Sequence, residues 1–159
     1  MTRLILASTS SARKQILENA GLSFDAMPPM VDGAAEGIIR GMYRFRAAKP
    51  VADRQRKAHL FGSGAIMTEV LRAQTLLETL GVSADVWSVT SYNELCREGL
   101  RVERQNHLAP GSKPATPYVA ELLAVEHGVF VAASDYMKSL PLSIARWVPG
   151  PYVVLGTDG

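Results

Sequence analysis

The chain has 159 residues, 47% of them hydrophobic and 20% charged, with a net charge of +2. That is enough for one ordinary domain with a real core, and the charge is too mild to argue for nucleic acid. The single cysteine, Cys96, excludes an intrachain disulfide and fits a reducing, cytoplasmic setting; no apolar run approaches the ~20 residues of a membrane span, and "MTRLILASTSS" is too short and too polar for a signal peptide.

Taken in order, "LILA" reads as a short buried strand. "STSS" then offers hydroxyls for a helix N-cap, "ARKQILENA" reads as a helix, and Gly21 ends it. "LSFDAMP" starts a second extended segment. Residues 34–47, "AAEGIIRGMYRFRA", read as a short helix broken by Lys49-Pro50. The basic stretch "RFRAAKPVADRQRK" (44–57) reads as a solvated linker.

From residue 58 the pattern becomes regular. "AHLFGSGA" is a strand running into a glycine turn, and "MTEVLRAQTLLETLG" is the clearest helix, with Met67, Val70, Leu71, Leu77 and Leu80 on one face and Gly81 as its stop. "ADVWSVTS" is a strand, and Ser91 to Glu94 match a capping box opening a helix that runs to about Arg104. "LAPGSKPATP" is a loop, "GVFVAAS" a buried strand, "SLPLSIARWV" a helix and "YVVLG" a last strand. This alternation predicts an α/β architecture with a mainly parallel sheet.

Candidate chemistry is sparse. The glycines of "FGSGAIM" could cradle a phosphate, although a tight strand-to-helix turn explains them more simply. His59, His107 and His127 are far apart and show no metal-ligand spacing, so no metal site is expected. His107, between helix and loop, is the candidate acid, base or substrate donor. Cys96 reads as a small buried residue. "ASTSSARK" gathers hydroxyls, free backbone donors and Arg13-Lys14 into a candidate anion site. Asp135 and Asp158 follow strands, where ligands often bind in α/β sheets.

Two resemblances rest on these residues. "LILASTSSARKQILENAGLSF" with "PPMVD", residues 1–32, resembles the N-terminus of the Maf family of nucleotide pyrophosphatases. That resemblance implies phosphate binding at Ser8, Ser10 and Arg13. Ser11 and Ala12 depart from the family's Pro-Arg, Gly33 replaces an acidic residue, and the segment carrying the family's catalytic carboxylate has no match. A pyrophosphatase reading would have to recruit Asp32, Asp135 or Asp158.

From about Pro29 onward, with 33–159 as the domain, the sequence resembles the C-terminal region of the homodimeric pyruvate dehydrogenase E1 component. The resemblance rests on "DGAAEGIIRGMYRFR", "GSGAIMTEVLRAQTLL", "GVSADVWSVTSYNELCREGL", "ERQNHL", "TPYVAELLA", "ASDYMKSLPLSIARWVPG" and "YVVLGTDG". It implies a transketolase C-terminal-like three-layer domain, truncated at "GTDG", behind an N-terminal strand–helix segment. The whole family protein decarboxylates pyruvate on thiamine diphosphate with Mg²⁺ and passes the acetyl group to a lipoyl acetyltransferase component. The cofactor-binding domains have no counterpart here, so this stretch is expected to bind no cofactor. It is expected to make homodimer or E1 subunit contacts and to lend residues to an active-site rim. The family often carries a His just before the Pro in the stretch matching "RQNHLAPG"; here Ala109 stands there and His107 lies two positions earlier. Residues 1–28 are expected to be loosely attached or donated to an edge of the larger sheet.

Overall fold

The structure is a computed structural model. It describes residues 4–6, 11–22, 24–26, 34–49 and 56–158, the side chains before Gln15 and those of 24–26 excepted. The chain forms two compact units, Met1–Ala35 and Glu36–Gly159.

In the first unit β1 (Leu4–Leu6) and β2 (Phe24–Ala26) pair in parallel through α1 (Ser11–Asn19), with Leu4 opposite Phe24. Gly21 closes the helix as expected. It takes φ +68, its N–H donates to the Glu18 carbonyl at 2.9 Å, and the Leu22 N–H donates to Leu17 at 3.1 Å. The two strands form a two-stranded sheet. A helix-containing connection is what lets two successive strands pair in parallel, and α1 supplies it.

The second unit is a five-stranded sheet of order β3-β5-β4-β6-β7. The strands are β3 (Met42–Arg46), β4 (Lys57–Gly62), β5 (Ser83–Val89), β6 (Val129–Met137) and β7 (Tyr152–Thr157); only β3 is antiparallel to its neighbour. Its helices are α2 (Ala34–Arg40), α3 (Met67–Thr79), α4 (Tyr92–Leu108), α5 (Tyr118–Leu122) and α6 (Ser139–Leu142). This is the mainly parallel α/β domain that the alternation predicts.

Four elements differ from the sequence reading, one of them α5, which stands where no element is expected. The helix expected over 34–47 stops at Arg40, and the rest is β3. Gly41 at φ +105 makes the break, and a Cβ there would lie 2.8 Å from the Ser91 carbonyl oxygen. The helix expected over 139–148 is α6 followed by a separate 3-10 turn, Ala145–Trp147. Helix α4 extends to Leu108 and so includes His107 in its last turn. The capping box is present, since the Ser91 Oγ accepts from the Glu94 N–H at 3.1 Å.

Strand alternation sends side chains to two faces. On one face Phe61, Trp87, Val89, Phe130 and Ala132 pack under Tyr92 and Leu95 of α4, Tyr118 and Val119 of α5, and Ile144 and Trp147. On the other, Ala58, Leu60, Ala84 and Val86 pack under Val70, Leu71 and Leu77 of α3. Gly99 lets α4 close on this first layer, because any Cβ there would strike the Trp147 ring.

The connections explain an asymmetry. The β4-to-β5 connection runs over the second face, and the β5-to-β6 and β6-to-β7 connections run over the first. The second face is therefore covered over β4 and β5 and open over β7. Parallel strands are normally buried on both faces, yet Val153 and Leu155 are 47% and 54% exposed.

Candidate functional site

The N-terminal edge of the parallel strands carries a cluster of buried charge. Lys57 and His59 alternate along β4, so both point to the aromatic face with Phe61. The register sets His59 opposite Asp85 of β5 and opposite Phe130 of β6. Arg44 of β3 lies opposite Trp87, with its guanidinium carbon 4.8 Å from that ring's centroid. Glu126 enters from the corner between α5 and β6.

These groups satisfy one another. Lys57 Nζ donates to Glu126 Oε2 at 2.6 Å and lies 3.2 Å from Asp85 Oδ2. Arg44 Nη2 donates to Glu126 Oε1. The Ala48 N–H donates to Asp85 Oδ1 at 2.7 Å. The Trp87 indole N–H donates to His59 Nδ1 at 3.3 Å, which leaves the Nε2 proton to be donated to the His127 carbonyl at 3.1 Å. Two cations thus face two carboxylates around a neutral imidazole.

Burial works on the ionisable groups in different ways. Desolvation pulls Lys57 down, but its hydrogen bonds to Glu126 and Asp85 and their charges prevail and hold the ammonium above its ordinary value. His59 goes the other way. Burial is the main cause, and the Lys57 charge adds to it against the His127 carbonyl and the two carboxylates, so the ring stays neutral below its ordinary value.

His59, Asp85 and Glu126 place ligating atoms within 4.8 Å of one another, which is metal-like spacing. Their chemistry does not fit a metal. The Lys57 ammonium already sits on both carboxylates, and neither ring nitrogen of His59 has an uncommitted lone pair. The cluster is a charge-balanced staple that ties β3, β4, β5 and the corner before β6 together.

The opposite edge holds the other candidates. At Gly62 a Cβ would lie 2.7 Å from the Met67 sulfur and 2.9 Å from Val70, so this glycine serves the packing of α3. Gly64 takes φ +58 and opens the 3-10 turn before α3. Beside α3 runs an apolar groove of about 320 Å³ with Leu60, Val131, Ala133 and Leu155 among its lining residues. It is the open half of the second face.

Among the described residues, His107, Asp135, Asp158 and Cys96 take no part in this cluster. Ser8, Ser10 and Asp32 lie outside the described residues, and Arg13 falls in α1 where side chains are outside them too. His107 is exposed on the last turn of α4, Asp135 is exposed in β6, and Asp158 is exposed and paired with Lys138 at 2.7 Å. Cys96 is half-buried on α4. Sequence reasoning missed Arg44, Lys57, Asp85 and Glu126. A usable signal was present: "KAHLF" and "ADVW" put charged residues on the same strand face as large aromatics.

An open α/β sheet with one antiparallel edge strand and helices on both faces defines the class. Residues 41–159 match the model of the transketolase-like TK C-terminal domain, and the chain belongs to that family. It is 50% identical over 137 residues to the pyruvate dehydrogenase E1 component of Pseudomonas aeruginosa, covering 83% of this chain and 15% of that protein. It is 44% identical over 125 residues to the E1 component of Mycobacterium tuberculosis (78% and 13%), and 41% identical over 135 residues to that of Escherichia coli K12 (84% and 15%). The chain therefore spans about 15% of the length of these relatives. The comparisons give the Maf-like reading of residues 1–32 no support.

Proposed function

We propose that the chain serves as the C-terminal domain of a pyruvate dehydrogenase E1-type enzyme, supplying subunit contacts and part of an active-site rim. The 50% identity over 137 residues carries this reading. On this reading thiamine diphosphate and Mg²⁺ bind other domains of such an enzyme, and the engagement of Asp85 and Glu126 by Lys57 agrees with the absence of a Mg²⁺ role for that cluster. On the same reading the partners are a second E1 subunit and a lipoyl acetyltransferase component, the setting is the cytoplasm, and the apolar strip over β7 is covered by other parts of the assembly. No helix among the described residues is long and apolar enough to cross a membrane.

The test is a segment exchange. Residues 41–159 replace the matching segment of the Pseudomonas aeruginosa E1 component, and pyruvate-dependent reduction of an artificial electron acceptor is measured with thiamine diphosphate and Mg²⁺. Retained activity is expected. A folded, inactive exchange protein would overturn the reading. So would the same activity in the isolated 159-residue chain.

A further inference from the structure

We propose that the outer face of α4 is a docking strip for an acidic amphipathic helix of another protein. The inference rests on α4 and its neighbours alone and is independent of the enzyme reading.

Helix α4 has 17 residues and is about 25 Å long. Its inner face carries the buried Tyr92, Leu95, Gly99 and Val102. Its outer face carries Arg97, Leu100, Arg101, Arg104 and Leu108, spaced i, i+3, i+4, i+7 and i+11, so all five lie on one side. All five are exposed, Leu100 and Leu108 at 49% and 73%.

Tertiary contacts set the charge of this strip. By composition α4 is balanced, with Glu94, Glu98 and Glu103 against Arg97, Arg101 and Arg104. Two of the glutamates are committed elsewhere. Glu98 accepts from the Tyr118 N–H at the start of α5, at 3.0 Å. Glu103 accepts from the Trp147 indole N–H at 2.9 Å and from Arg146 at 3.1 Å. Glu94 alone serves the strip, pairing with Arg97 at 3.3 Å. Arg101 and Arg104 make no ion pair among the described residues. The loop that follows, 109–117, adds Lys113 and no acid.

Uncompensated guanidiniums beside exposed leucines fit a partner helix of the complementary pattern, with carboxylates flanking an apolar stripe. A second copy does not supply it. Its α4 would set arginines against arginines, and its α3 pairs Glu69 with Arg72 and Glu78 with Lys49. Single-stranded nucleic acid calls for aromatics among the basic residues, where this strip has leucines. A bilayer surface takes a helix whose apolar face is free, and that of α4 is buried.

The test uses the full chain and a labelled helical peptide of about 20 residues. The peptide carries leucines at i, i+3, i+4 and i+7 flanked by glutamates, and binding is read by fluorescence anisotropy. Saturable binding is expected, with amide NMR shifts centred on residues 97–108, and it should weaken as salt rises from about 0.05 to 0.5 M. Arg101→Glu combined with Arg104→Glu should weaken binding at least about tenfold. Leu100→Ser combined with Leu108→Ser should weaken it about fivefold. All four side chains are exposed, so an unchanged thermal melt is expected of both variants. Should either fail to fold, the salt series and two control peptides on the wild-type chain decide instead. One control replaces the glutamates by lysines and the other scrambles the order at fixed composition; each should bind at least about tenfold more weakly. No binding, binding indifferent to salt, shifts lying off α4, a folded arginine variant that binds as the wild type does, a control peptide that binds equally, or tighter binding to phosphatidylserine-containing vesicles or to single-stranded DNA would each overturn the docking strip.

Discussion

The two faces of the larger sheet are built by different means. The face under α4 and α5 is aromatic and closed: Phe61, Trp87 and Phe130 are at most 1% exposed. The face under α3 is made of small and aliphatic residues and is closed only over β4 and β5. Hydrophobic sequence alone does not account for the difference, because β7 carries Val153 and Leu155 in a run as apolar as any. What differs is the direction of the connections. Two of them cross the aromatic face and one crosses the other, so one half-face receives no helix. Coverage follows chain routing, and the exposed strip follows from coverage.

The comparison can be broken in four places. Phe130→Ala should cost about 3–5 kcal/mol in chemical denaturation, because the ring is fully buried and packs on both Phe61 and His59. A cost below about 1 kcal/mol would mean that the aromatic layer does not hold this face. Glu126→Ala removes the buried carboxylate that Lys57 and Arg44 share and leaves Lys57 with Asp85 alone. Breaking a buried pair costs about 3–5 kcal/mol, but the two cationic side chains are 33% and 42% exposed, and solvent screening reduces the expectation to about 2. A neutral outcome would show that the staple contributes nothing net.

Tyr92→Phe probes the same closed face from within. The Tyr92 hydroxyl is buried without a well-formed hydrogen bond, the Tyr152 hydroxyl being the side-chain group that engages it, and burial pushes the phenol well above its ordinary value. Removing it should leave stability unchanged or raise it by up to about 1 kcal/mol, read as a shift in the denaturation midpoint. A clear loss would show that its contact with the Tyr152 hydroxyl contributes to the fold. The smallest effect is expected on the open half. Leu155→Ser should change stability by less than about 0.5 kcal/mol and reduce self-association in light scattering. A loss as large as that of Phe130→Ala would mean that the strip is core after all.

Local signals were legible where they act over a few residues. The Ser91–Glu94 capping box, the stops at Gly21 and Gly81 and the β-branched runs of β5 and β6 all read correctly, since each is a bond or a backbone preference within one turn. β3 was not legible. "MYRFR" follows a good helix start, and only its pairing with β5, plus the contact of Gly41 with Ser91, turns it into a strand. His107 drew notice as a loop histidine, yet it lies exposed on a helix. His59 looked isolated because its partners come from other strands and from a corner far along the chain.

By itself the sequence determined the α/β class, the stops of α1 and α3, the capped start of α4 and the E1-like family, because periodicity, capping and motif are written into neighbouring residues. The tertiary structure alone decided which strands are neighbours, which half-face stays open and which charges meet. Arg44 and Glu126 are 82 positions apart, and no local rule pairs them. Strand order and register do, by setting Lys57, His59 and Asp85 at one buried edge where desolvation makes every unpaired charge expensive and only a mutually satisfied set can persist.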